Sequence, residues 1–331
     1  MKIYDQALDS LDILIDHSES LPLDRYFLKA KCFREMNLFT KSLEIYDECI
    51  SLEKQSDLAF YKKGTALLKM RNYEGAIECF QSAISINKKF LKAYSKQGYA
   101  YYKLEKFEDA LVILQKGLVI DGNDGFTHFL IGDVLSELKK LRTAIKCYDL
   151  AIGLDPQLFQ AYNNKGNNLA LLSMKKKFKP EKMQRYAFQA IKCFKQALAL
   201  NPNFYIYHFN IGRVLFNLEN YERALVYFTK ATGLLAQSQQ TNNNINQKSE
   251  IVCSKANCLK KLKRFSEAIE FYNFSLEIKE SLMAYKSKGE CCEHLGRYAQ
   301  ALDAYLSCKK LSSGKIQNFF ERKINKCLDK Q

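Results

Sequence analysis

Residues 72–90 read NYEGAIECFQSAISINKKF, and their skeleton returns at 186–204 as YAFQAIKCFKQALALNPNF. In each stretch an alanine (Ala76, Ala190) is followed four residues later by a ring (Phe80, Phe194) and three further on by a second alanine (Ala83, Ala197). Steps of four and then three keep these side chains on one helical face, so each stretch predicts a helix that buries small and large residues together. Its return predicts a scaffold built by repetition.

The same register runs along the chain. Ser42, Ala76, Ala110, Ala144, Ala190, Ala224, Ala268 and Ala301 are separated by 34, 34, 34, 46, 34, 44 and 33 residues. Four positions after each stand Tyr46, Phe80, Leu114, Tyr148, Phe194, Phe228, Tyr272 and Tyr305, and three further on Cys49, Ala83, Gly117, Ala151, Ala197, Ala231, Ser275 and Cys308. Gly64, Gly98, Gly132, Gly212 and Gly289 precede their alanines by twelve residues, Gly166 plays that part in the lengthened copy, and Ala30 and Ala256 fill the place in the other two. A helical glycine costs about 1 kcal/mol relative to alanine, so its recurrence requires a packing reason. The expectation is that small residues let two antiparallel helices meet backbone to backbone, while the ring fills the seam to the next pair.

Composition agrees with an all-α chain. Of 331 residues 47% are hydrophobic, four are proline and fourteen are glycine, which supplies a core and disfavours a turn-rich β architecture. No run reaches the roughly 18 to 20 apolar residues of a membrane span, and MKIYDQALDSLDILIDHS carries acidic residues where a signal peptide has an apolar run. Eleven cysteines with no C-x-x-C pair read as free thiols, which places the chain in the cytoplasm, with cilium or nucleus as alternatives.

These residues resemble the tetratricopeptide repeat family, whose 34-residue unit has a bulky residue four before the glycine, an aromatic or leucine three after it, then Ala, Phe and Pro. GFTHFLIGDVLSELKKLRTAIKCYDLAIGLDPQL at 125–158 carries the pattern in Gly132, Leu135, Ala144, Tyr148, Ala151 and Pro156. Eight copies fit, starting at 23, 57, 91, 125, 159, 205, 249 and 282, so that residues 23–315 form the array. Residues 1–22 repeat the second-helix pattern (Tyr4, Ala7, Leu8, Leu11) as a half-repeat or capping helix, and 316–331 read as a C-terminal capping helix. The resemblance implies a right-handed superhelical solenoid of stacked antiparallel helix pairs, with the first helices lining a concave groove.

Catalytic templates are absent: no H-E-x-x-H, no G-x-x-x-x-G-K-[ST], no G-x-S-x-G. His128 and His208 fall on a bulky packing position, and most cysteines share positions between copies (Cys79, Cys147 and Cys193, for example), which reads as packing. Cys291, Cys292 and His294 lack a second ligand pair at finger spacing, so no metal and no cofactor are expected.

Two segments interrupt the period. MKKKFKPEKMQR at 174–185 lies inside the fifth copy and reads as a lengthened turn; its basic members are Lys175, Lys176, Lys177, Lys179, Lys182 and Arg185. Residues 160–200 hold nine Lys/Arg against Glu181 alone, a net +8 of the chain's +15. QSQQTNNNINQ at 237–247 reads as a polar linker between the sixth and seventh copies. In the family, residues five, six and nine of each copy face the groove, which nominates Tyr61, Lys62, Lys96, Asn163, Asn164, Asn167, Asn210 and Arg213. Asn164 and Asn210 resemble the asparagine ladder of the O-linked N-acetylglucosamine transferase repeats. Lys92 and Lys96 resemble part of the carboxylate clamp of chaperone-binding members, whose other positions here read Phe27, Lys31 and Lys62.

The reading is a noncatalytic interaction scaffold for acidic or extended peptide segments of other proteins, without a small-molecule substrate. The alternatives are an anionic-ligand binder (nucleic acid or membrane surface) acting through the Lys-rich insert, and a subunit of a ciliary or cell-cycle assembly joined end to end through residues 1–22. Nucleic acid is disfavoured, because only Phe178 stands near the lysines as a base-stacking ring.

Overall fold

The computed structural model describes residues 2–16, 23–175, 178–237 and 245–330. Among them are eighteen α-helices and no strand. They fall into two compact units. Unit 1, Met1–Leu158, holds α1 (Lys2–Asp16), α2 (Leu23–Glu35), α3 (Phe39–Leu52), α4 (Asp57–Lys69), α5 (Tyr73–Ile86), α6 (Leu91–Lys103), α7 (Phe107–Ile120), α8 (Gly125–Glu137) and α9 (Leu141–Leu154). Unit 2, Phe159–Gln331, holds α10 (Phe159–Ser173), α11 (Pro180–Leu200), α12 (Tyr205–Asn217), α13 (Tyr221–Gln237), α14 (Ile245–Lys261), α15 (Phe265–Ile278), α16 (Leu282–His294), α17 (Tyr298–Lys310) and α18 (Lys315–Leu328).

Within each unit the helices form hairpins, and the second helix of one hairpin packs on the first of the next. First helices therefore lie side by side: α2, α4, α6 and α8 in unit 1, and α10, α12, α14 and α16 in unit 2. Each unit is an all-α solenoid of helix pairs. In unit 1 α1 packs on α2. In unit 2 α18 buries Phe320, Ile324 and Cys327 against the last hairpin, with Phe320 stacked on Tyr305 at 6.2 Å.

The recurring glycine has a different cause from the expected one. A Cβ on Gly64 would stand 2.8 Å from the Phe80 ring, and one on Gly98 would stand 2.5 Å from Leu114. The same holds for Gly132 with Tyr148 (2.6 Å), Gly166 with Phe194 (2.7 Å), Gly212 with Phe228 (2.7 Å) and Gly289 with Tyr305 (2.6 Å). What fills the space is a large side chain from the second helix of the same copy, not the partner backbone, and not a neighbour across the seam. These six side chains are at most 1% exposed, and burying each contributes about 1.5–3 kcal/mol. Ala30 opposite Tyr46 and Ala256 opposite Tyr272 are themselves fully buried, so the position also takes a methyl group.

Seven of the eight hairpins close through one tight turn. In the second copy Arg71 adopts φ +62°, its N–H donates to the Leu68 carbonyl at 3.1 Å, and the Asn72 N–H donates to the Leu67 carbonyl at 3.0 Å. This crossed pair satisfies the last carbonyls of α4 and reverses the chain. Asn37, Glu105, Lys139, Glu219, Lys263 and Gly296 take the same left-handed conformation in their copies.

The fifth copy departs from this rule and from the sequence expectation. Residues 174–185 do not form one lengthened turn: α10 stops at Ser173, and α11 begins at Pro180 and runs 21 residues. Lys179 is the N-cap, Pro180 occupies the first turn where its missing N–H costs nothing, and Glu181 faces the positive helix end. Half of the insert is thus an N-terminal extension of a helix. The polar linker is trimmed in the same way, because α13 continues through Gln237 and α14 starts at Ile245. The rest of that linker lies outside the described residues, as do Lys176, Lys177 and residues 17–22.

Candidate binding groove

The nominated groove residues fall in both units. In unit 1, Tyr61 is half-buried, with its ring 4.9 Å from Phe90 and 5.8 Å from Phe80, and burial pushes its hydroxyl pKa up. It packs as part of the core. Lys62 places its ammonium 4.9 Å above the Phe27 ring; burial lowers its pKa, as does the nearby Arg34, against a smaller opposing effect of Asp24. Lys96 sits 5.4 Å above the Phe126 ring and is likewise lowered by burial. Lys92 is exposed. This face of unit 1 presents cations seated on aromatic rings.

In unit 2 the asparagines come together. Asn210, on α12, is 6% exposed and donates from Nδ2 to Asn163 Oδ1 on α10 at 3.1 Å. Asn163 donates in turn to Asn164 Oδ1 at 3.0 Å. A primary amide has two N–H groups and an oxygen with two lone pairs, so one bond of each kind leaves it able to pair with a peptide backbone. The rung that forms joins Asn210 to Asn163 and not to Asn164, its counterpart in register.

Beside this amide chain, a pocket of about 340 Å³ opens across α10, α12 and α14. Asn167, Asn210 and Arg213 line it together with Leu171, Met174, Phe209, Asn217, Gln247 and Glu250. Arg213 is exposed, with its guanidinium 5.5 Å from the Phe209 ring, and it makes no ion pair among the described residues. Asn167 has no hydrogen-bond partner among them.

The reason lies one helix behind. In the fourth and seventh copies the large second-helix residue is tyrosine, and its hydroxyl reaches past the glycine or alanine to the ninth position of the copy; the Tyr305 hydroxyl of the eighth copy is buried without such a bond. Tyr148 donates to Asp133 Oδ1 at 2.7 Å, and Tyr272 donates to Asn257 Oδ1 at 2.6 Å. In the fifth and sixth copies that residue is phenylalanine (Phe194, Phe228), which offers no hydroxyl to the ninth residues, Asn167 and Arg213, and both line the pocket. Towards α16 and α18 the charges on this face are paired among themselves: Lys260 and Lys286 with Glu290, and Lys323 with Glu293 at 2.8 Å. The open part of unit 2 is therefore α10, α12 and the start of α14.

Of the basic insert, Lys179, Lys182 and Arg185 are exposed, Lys175 is half-buried, and Lys182 lies 5.2 Å over the Phe178 ring. Positions five, six and nine predicted Asn167, Asn210 and Arg213 but not Leu171, Met174 or Asn217. Leu171 and Asn217 follow from continuing the helical face four residues beyond position nine, and Met174 from a further step of three, a signal present in the sequence. Gln247 was hidden by the linker reading and enters because α14 begins at Ile245, whereas Glu250 is the second residue of the seventh copy and lies outside positions five, six and nine.

Models of the tetratricopeptide repeat match residues 23–56, 58–90, 127–158, 189–238 and 249–282. No curated protein sequence matches the chain. Among solved structures, a chain of the APC/C hetero-tetramer Cut9–Hcn1 superposes with TM-score 0.59 and 16% identity over 98% of this chain, which spans 59% of that one. PilF of Pseudomonas aeruginosa superposes with TM-score 0.55 and 19% identity over 70% of this chain and 97% of its own.

Proposed function

Because the chain belongs to the tetratricopeptide repeat family, we propose that it is a noncatalytic protein-interaction scaffold that takes an extended peptide segment of another protein across α10, α12 and α14. The single observation that carries this reading is the pocket in which Asn167 and Arg213 stand without a polar partner among the described residues, beside the Asn210–Asn163–Asn164 amide chain. Amides suit backbone N–H and C=O groups whatever the side chains, and Arg213 suits a carboxylate. Glu250, at the α14 wall, takes the N–H side of the ligand.

The test is site-specific photocrosslinking in cell extract with p-benzoylphenylalanine at Asn167, compared with the same group at Val226, which is exposed on the second helix α13. The expected result is a partner crosslinked from position 167, absent from position 226, and lost at least tenfold on Arg213→Glu. Equal crosslinking from both positions, or indifference to Arg213→Glu, would overturn the reading.

A further inference from the structure

The insert builds something that no other copy has. In the other copies the second helix starts at Phe39, Tyr73, Phe107, Leu141, Tyr221, Phe265 or Tyr298, whose counterpart in the fifth is Ala187. Here α11 starts seven residues earlier, and Pro180, Met183, Gln184 and Ala187 recur at helical spacing on one face. That face, the end of α10 at Ser173 and Met174, and the last turn of α12 at Val214, Asn217 and Leu218 enclose a second cavity of about 540 Å³. Its walls are mainly hydrocarbon and thioether. Met174 is 54% exposed and so is not filling the core.

The cavity is continuous with the groove. Met174, Val214 and Asn217 line both it and the groove pocket, and the Asn217 amide donates to Met174 Sδ at 3.5 Å on their shared edge. Lys179 and Lys182, both exposed, adjoin Pro180 and Met183 in the chain, opposed locally by Glu181.

We propose that Met174, Pro180, Met183 and Ala187, with the last turn of α12, form an anchor slot for one bulky apolar side chain of the peptide that crosses the groove, and that acidic residues flank that anchor. The inference rests on the groove reading. Methionine is unbranched and polarizable, so Met174 and Met183 admit leucine, methionine or phenylalanine alike. The local charge of +8 over residues 160–200 selects the acidic flanks. The insert thereby supplies selectivity for side chains to a groove whose amides read only backbone.

The test pans a displayed random-dodecamer library against the full chain and titrates the enriched peptides by fluorescence anisotropy. The expected enrichment is a fixed Leu, Met or Phe among Asp and Glu. Replacing that residue by Ala weakens binding to the unmodified protein by about tenfold or more, and makes no difference to Met183→Asp or to a protein lacking residues 174–185. Arg213→Glu weakens every peptide while leaving the leucine-to-alanine ratio intact. Enrichment of acidic peptides without a fixed apolar residue, or a ratio unmoved by both insert variants, would refute the slot and leave the groove standing. Binding indifferent to Arg213→Glu and Asn167→Ala would refute the groove.

Discussion

Gly132 and Gly153 lie one hairpin arm apart and should answer the same substitution with opposite signs. A methyl group on Gly132 would press on the Tyr148 ring at 2.6 Å, whereas one on Gly153 meets nothing within 4 Å. Alanine gains about 1 kcal/mol over glycine in either helix. Overpacking at Gly132 costs about 1–3 kcal/mol and should outweigh that gain. We expect Gly132→Ala to lose about 1 kcal/mol net and Gly153→Ala to gain about 1 kcal/mol, read from urea unfolding; a gain at both would mean that the ring does not set the requirement. At this scale the sequence showed that a small residue was needed at Gly132 but not what fills the space. Recurrence reports a constraint, and the contact behind it lies sixteen residues away on another helix.

The hairpin turns were the element least readable in advance. Six of the seven left-handed positions carry Asn, Arg, Glu or Lys, and only Gly296 is the residue that such a backbone favours. Side chains in this region cost about 1–2 kcal/mol relative to glycine before the entropy that glycine itself loses. Lys139→Gly should therefore raise stability by up to about 1 kcal/mol, and Gly296→Ala should lower it by about the same amount; thermal melts of the two variants check the pair, and shifts of equal sign would contradict it. The insert teaches the complementary lesson. Its place was readable because the alanine register slips by twelve residues between Ala144 and Ala190 beyond the usual 34. Its half-helical form was not, because lysine composition outweighed the start signal that Pro180 and Glu181 supply. The asparagines were nominated by position, but the Asn210–Asn163 bond follows from how far α12 is offset against α10, which no one-dimensional register contains.

For the molecule as a whole, His208 links stability to acidity. It is 8% exposed, its ring centroid lies 6.0 Å from that of Tyr227, and its Nδ1 is buried without a hydrogen-bond partner in the structure. Burial, assisted by Lys230, holds its pKa below the ordinary 6.5. The unfolded chain therefore takes up the proton first as pH falls. The contribution is full above pH 6.5 and is lost progressively below it, down through the depressed folded-state value. We expect His208→Gln to flatten the stability profile of the protein between about pH 6.5 and 5, measured by denaturant midpoints at each pH; an unchanged slope would place the titration elsewhere. Most of the array was readable at this scale, since 34-residue spacing dictates stacked hairpins whatever the individual residues. Each large second-helix residue docks on its own copy's glycine or alanine and so keeps every module locked from within. Under the proposed groove reading, stacking is thereby insulated from recognition: the ninth residue of a module can be exchanged, or Tyr148 or Tyr272 traded for phenylalanine to release it, without retuning its neighbours. An engineer could rewrite the binding face one cassette at a time.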